Sequence, residues 1–399
     1  MISKRMAPLV ANTSAIREMF EEGKRRAKIY GPENVYDFSI GNPNVPAPPE
    51  VNKSIIDIIR DEDTQKVHGK VHGYMNNAGF EETRIAIAEN LNKRFGTDYD
   101  ENNICMTVGC ACAINVLLKA MTDPGDEFLV LEPYFFEYPN YVHNYDGEAV
   151  FVPASKDGSF MPDLDAFEKA FTPKTKGVII NNPNNPTGVV YTEDCIKKMA
   201  AIMDAKQKEF GTVIYMISDE PYREIAYDGI KVPFLPNYYD NALVGYSYSK
   251  SLSLPGERIG YAVVPNKSDN HEEFFKATVI ANRVSGSVNA PSLMQLVIER
   301  CVDCQCDVSF YDRNGKDLYK GLTEAGFECV KPQGAFYLWM KSPVPDEREF
   351  IEAAKKYNIL LVPGYVFGGP GYVRISFCVS HEQIMNSLPK FRELAKEYF

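Results

Sequence analysis

From about residue 50 to 265 the chain alternates short, β-rich apolar runs with helical patterns, and no other feature constrains its fold as much. The strand-like runs are FLVLE (128–132), AVFVP (149–153), GVIIN (177–181), TVIYMIS (212–218), ALVGYS (242–247) and GYAVV (260–264). Helical patterns cover 80–95, 110–121, 163–171 and 192–210. Continuous apolar runs of this length suit strands buried on both faces, and strands separated by helices pair in parallel. The expectation is an α/β fold with a mainly parallel sheet. Ligand-binding loops of such a sheet lie at its strand ends.

Beyond residue 265 the pattern changes. A helical stretch covers about 269–322, followed by YLWMK (337–341), a helix near 346–357, YVRISFC (372–378) and a last helix from His381. Shorter strands among segregated helices predict a smaller α+β domain. The first 45 residues read as an arm plus one helix, capped by Ser14 and with Ile16, Met19 and Phe20 on one face. The Pro/Asn/Gly-rich loop FSIGNPNVPAPPE follows. The pattern divides the chain into 1–48 (arm and part of the small domain), 49–284 (large domain) and 285–399 (small C-terminal domain). A tandem KVHG (66–69 and 70–73) reads as a lengthened surface loop.

Charge and cysteine usage exclude several classes. A formal net charge of −11 and a pI near 5.2 repel nucleic acid and anionic membranes. No apolar run is long enough to span a bilayer, and the N-terminus lacks the apolar core of a signal peptide, so a cytoplasmic protein is expected. Nine cysteines, an odd number at irregular spacing, argue for reduced thiols. Cys301, Cys304 and Cys306 cluster without a nearby histidine and read as thiols near a helix face, so no metal site is expected.

The residues able to carry chemistry stand at the strand ends. Ser247-Tyr248-Ser249-Lys250 directly follows a core strand, and Gly256-Glu257-Arg258-Ile259-Gly260 comes next. A lysine at the mouth of a buried strand is costly unless its charge is used or lost, and Schiff-base chemistry uses it. The two serines and the arginine are phosphate ligands by type. Asp219, in SDEPY at the end of TVIYMIS, can hold a pyridine nitrogen protonated. The run NNPNNPTG (181–188) ends GVIIN, and one of its amides can donate to a phenolic oxygen. Thr107-Val108-Gly109-Cys110-Ala111 opens a helix whose free N–H groups suit a phosphate. Singly, each is an ordinary strand-to-loop turn; together they place an amine, a ring partner and phosphate ligands on successive strand ends.

With NNPNNPTG, SDEPY, SYSK, GERIGY and YVRISF in this order and spacing, the chain resembles the fold-type-I, pyridoxal-5′-phosphate (PLP)-dependent aminotransferases of class I/II over nearly its whole length. The resemblance implies a seven-stranded-type large domain, a small domain built from both chain ends, and a homodimer. It makes Lys250 the Schiff-base lysine and proton carrier, Asp219 the pyridinium partner, and Tyr222 and Asn185 donors to the phenolic oxygen. Cys110, Ala111, Ser247, Ser249 and Arg258 would hold the phosphate, and Tyr74 would reach the phosphate of a second copy. Arg374 would grip the substrate α-carboxylate, with Ile40 and Gly41 closing over it. Two departures stand out: Phe135 takes the ring-stacking position often held by Trp or Tyr, and Ala111 replaces a hydroxyl or lysine.

The reaction so implied moves an amino group between an amino acid and a 2-oxo acid by a ping-pong route. A carbon–sulfur β-lyase on the same fold is the alternative; a non-catalytic regulator would need an appended DNA-binding module. Arg283, four residues before Ser287, is the candidate for a second substrate carboxylate, with an ordinary ion pair near a helix end as the bland alternative.

Overall fold

The computed structural model describes residues 2–11, 15–67 and 69–399, so the Ser14 cap and His68 of the first KVHG copy lie outside the described residues. Two compact units emerge: Val45–Asn184 with Val190–Val308, and Met1–Asn44 with Asn185–Val189 and Ser309–Phe399.

The larger unit is built on a seven-stranded sheet. Its strands are β1 (Ile104–Thr107), β2 (Glu127–Leu131), β3 (Glu148–Val152), β4 (Thr175–Asn181), β5 (Tyr215–Asp219), β6 (Ala242–Ser247) and β7 (Gly260–Val263). They lie in the order β1-β7-β6-β5-β4-β2-β3. Only β7 runs against its neighbours.

Apart from the edge strand β3, whose Phe151 is exposed, the apolar runs follow from burial on both faces. Ile104, Met106, Val244, Tyr246 and Val263 pack with Ile58, Ile87, Leu91, Val297 and Ile298. Their strand neighbours Cys105, Leu243 and Ala262 turn the other way, onto Ala113, Ile114 and Leu117 of helix Cys110–Met121. The register aligns Asn181, Asp219 and Gly245 side by side, so the ends of β4, β5 and β6 form one ledge.

The helical stretch 269–322 is three helices, His271–Val284, Ser292–Cys301 and Val308–Glu324. Gly286 at φ +94° and Val288 at φ +59° break the first junction, and Pro291 precedes the second helix. At the second junction, tertiary hydrogen bonds replace helical ones. Asp303 accepts from Asn90 at 2.8 Å, Gln305 donates to Glu224 O at 2.9 Å, and Cys306 N–H donates to Ser251 O at 2.8 Å. Met294, Val297, Ile298 and Cys301 join the larger unit's core, which places 285–308 there, whereas the sequence pattern put the break at 285.

The smaller unit carries a four-stranded antiparallel sheet in the order Val362–Pro363, Tyr372–Ser376, Tyr337–Lys341, Cys329–Val330. Trp339, fully buried, pairs with Arg374 across two of these strands and stacks on Tyr372 with ring centroids 5.5 Å apart. Tyr36–Asp37 pairs in parallel with Ile359–Leu360, and Ser376 N–H donates to Phe38 O at 3.0 Å. These bonds lay the segment 38–41 along the strand that bears Arg374. No helix among the described residues is long and apolar enough to cross a membrane.

Candidate active site

Asp219 ends β5 and is buried, 7% exposed. Its main-chain oxygen accepts from Asn181 Nδ2 at 2.9 Å. Cys110 Sγ–H donates to Oδ1 at 2.7 Å, and Tyr138 O–H donates to Oδ2. Burial pushes the Asp219 carboxyl above its ordinary value, against the two donors, which pull it down. Burial first, and then the Asp219 charge, hold both the Cys110 thiol and the Tyr138 phenol far above theirs. Thiol and phenol therefore keep their protons and donate, and the carboxylate accepts.

Next on the ledge, Ser247 closes β6 and caps the short helix Tyr248–Ser251, accepting from Ser249 N–H at 3.2 Å. The two serine hydroxyls lie 2.7 Å apart. Arg258, in the left-handed region at φ +53°, reaches Ser249 Oγ at 3.4 Å and Val108 O at 3.3 Å. Helix Cys110–Met121 opens on Gly109, at φ +80°, without a side-chain cap. A Cβ on Gly109 would sit 2.5 Å from Arg258 Nη2, so only glycine lets the guanidinium lie against this helix start. Two hydroxyls, one guanidinium and an uncapped helix N-terminus make an anion cradle.

Lys250 is half-buried on the short helix. Its carbonyl accepts from Cys306 Sγ at 3.4 Å, and Ser251 Oγ accepts from Tyr246 O–H at 2.9 Å. Tyr222 is buried just past β5, and Phe135 meets Tyr138 edge-on at 5.6 Å. Tyr74 is 94% exposed, and Arg283 stands exposed in the last turn of helix His271–Val284.

The smaller unit holds the remaining candidates. Arg374, 3% exposed, donates to Asn185 Oδ1 at 3.1 Å and to Ser39 O at 2.7 Å. Its guanidinium lies over the Tyr337 and Phe367 rings at 4.6 and 4.7 Å. A Cβ on Gly41 would come within 2.1 Å of Tyr337 Oη, so a larger residue at 41 would force the Tyr337 ring to move. Ile40 is half-buried, and its carbonyl accepts from Cys378 Sγ at 3.7 Å.

Three contributors escaped the sequence reading. Tyr138 and the Cys110 side chain reach Asp219 only through packing, although Tyr138 stands three residues after Phe135 on the way into a helix. Ser39 acts through its carbonyl, which no residue type signals. The larger unit's residues fit PLP: an anion cradle for its phosphate, and a buried carboxylate whose neutral donors leave its charge uncompensated until a pyridinium pairs with it.

Comparison with known proteins agrees. The family model for aminotransferase class I and II matches residues 33–390. The aspartate/prephenate aminotransferase of Thermus thermophilus is 33% identical over 331 residues, 80% of this chain and 82% of the relative. Aromatic-amino-acid aminotransferase 2 of Thermococcus litoralis is 28% identical, covering 97% of each chain. Among solved structures, an amino transferase from Eubacterium rectale superposes with a TM-score of 0.96 at 48% identity, covering 100% of this chain and 99% of the other. The aspartate aminotransferase of Thermus thermophilus with maleate gives 0.85 at 27% identity, covering 99% of each. This chain belongs to the class I and II aminotransferases, and it is a PLP-dependent transaminase.

Proposed function

We propose that this aminotransferase prefers a dicarboxylic amino donor, aspartate or glutamate, and works as a homodimer. When bound, PLP supplies the carbon that accepts the amino group and a ring that draws electrons from the substrate Cα. Lys250 Nζ anchors the cofactor and carries the proton taken from the substrate Cα. Asp219 keeps a proton on the ring nitrogen, and Tyr222 donates to the phenolic oxygen. Ser247, Ser249, Arg258 and the N–H groups of Cys110 and Ala111 bind the phosphate, and Phe135 covers a ring face. Arg374, oriented by Asn185 and Ser39, grips the α-carboxylate; Ile40 and Gly41 exclude water from it.

The observation that carries the substrate reading is the position of Arg283. It stands exposed at a helix end, among the exposed apolar residues Ile280, Val284 and Val288. Tyr74, also on the larger unit, is almost fully exposed. Apolar surface of this kind suits a second copy, and a cation placed there would offset the dehydration of a distal carboxylate. Relatives named for aspartate, and a neighbour solved with the dicarboxylate maleate, support the same reading. Wild type should show kcat/KM for aspartate at least ~10-fold above alanine and phenylalanine, about the worth of one charge-assisted pair. Arg283→Ala should slow aspartate and spare alanine. A wild-type preference for an aromatic donor, or a variant that slows every donor alike, overturns the reading.

A further inference from the structure

We infer that Cys110 is a positioning residue for the cofactor ring: its main chain opens the phosphate-binding helix while its thiol donates to Asp219, so one residue ties the phosphate cradle to the ring-nitrogen partner. The inference rests on the placement of PLP proposed above.

Three observations carry it. Cys110 Sγ lies 2.7 Å from Asp219 Oδ1, with Tyr138 O–H on the other carboxylate oxygen. Cys110 is also the first residue of helix Cys110–Met121, directly after the uncapped Gly109. Finally, Gly245 pairs with Asp219 in the register, and a Cβ there would meet Cys110 Sγ at 3.2 Å and Ile114 Cδ1 at 2.8 Å. The missing side chain at 245 leaves room for the thiol beside Asp219, which a Cβ there would crowd by a few tenths of an ångström.

The consequence concerns where a proton sits. Between a carboxylate and a pyridine nitrogen, the proton resides on nitrogen when the carboxylate is stabilised as an anion. Each neutral donor to Asp219 adds to that stabilisation. The thiol is suited to donate because burial and the charges of Asp219 and Glu220 keep it protonated. The other titratable groups facing this cluster, Tyr138 and Tyr141, are likewise held neutral by burial. Losing the thiol moves the shared proton toward Asp219, and the ring loses positive charge.

The test reads the holoenzyme by two measures other than turnover: the pH midpoint of the bound cofactor's visible absorption band, and the cofactor dissociation constant. A less positive ring repels a neighbouring imine proton less, so Cys110→Ala should raise the midpoint by roughly half a unit or more. It should also weaken cofactor binding about three- to tenfold. Cys110→Ser, whose hydroxyl still donates, should stay near wild type in both. If Cys110→Ala matches wild type in both measures, or if the Ala and Ser variants shift equally, the thiol does not act by donation and the inference fails. Asp219→Asn separates the two levels: an unchanged midpoint in that variant overturns the placement of the ring nitrogen itself, whatever Cys110 does.

Discussion

Arg374 carries its charge almost wholly out of water, with its edges donating to Asn185 and Ser39 and its flat faces against two aromatic rings. A guanidinium tolerates this because it stacks and donates at once, whereas an ammonium is a strongly hydrated point charge. Arg374→Lys is therefore expected to raise KM for amino donors roughly 30- to 100-fold with a smaller change in kcat, the loss of one of two parallel charged hydrogen bonds. An unchanged KM would remove Arg374 from the substrate site. At this scale, residue type announced Lys250 and Asp219, since a charge beside a core strand demands a reason, while Arg374 was named only through the family resemblance carried by YVRISF. It was silent on Tyr138 and Cys110, whose side chains are ordinary core residues until a carboxylate is placed beside them.

Among elements, the turn after β5 is tied to helix Glu81–Phe95 by a charge network buried at Arg223 and Glu220 and opening to solvent at Arg94. Arg223 pairs with Glu220 at 2.7 Å and with Glu224 at 3.2 Å, and donates to Tyr261 Oη at 2.8 Å. Arg94, in the last turn of that helix, grips Glu224 with two bonds of 2.9 and 2.6 Å. Burial works to raise the Glu224 carboxyl, but Arg223 and Arg94 together outweigh it and leave it below its ordinary value. A depressed folded-state value stabilises the fold above the unfolded carboxyl range near pH 4 and loses that contribution as pH falls through the folded value. Glu224→Gln should thus cost about 2 kcal/mol at pH 7, and the gap to wild type should shrink below about pH 4. Denaturant melts at the two pH values check this; a gap that is constant or larger in acid would show that Glu224 is not held ionised by its arginines.

For the molecule as a whole, the larger unit exposes Tyr74 (94%), Val284 (56%) and Ile280 (51%), large apolar side chains that a lone copy would leave in water. A second copy covering them is the homodimer proposed above. Ile280→Glu should then shift sedimentation from dimer toward monomer and reduce activity with it, if Tyr74 reaches the other copy's phosphate as the family resemblance implies. A variant that remains fully dimeric would place the interface elsewhere.

What the sequence determined by itself was the part written in short windows. Six sheet strands, helix 110–121 and the strand Tyr337–Lys341 each announce themselves through apolar periodicity over a dozen residues or fewer. Turn motifs at the strand ends added the order of the chemistry. The tertiary structure decided the rest. β1, at the edge of the sheet, was not among the apolar runs and is held in place by its pairing with β7. The helical stretch after residue 269 breaks at 302–307 because Ser251, Glu224 and Asn90 offer its backbone and side chains better partners than another helical turn would. The donors on Asp219 come from residues 109 and 81 positions away. Local patterns record which faces of an element are apolar; desolvation and hydrogen-bond partnership depend on which distant segments come to share one interior, and that is a property of the packed chain.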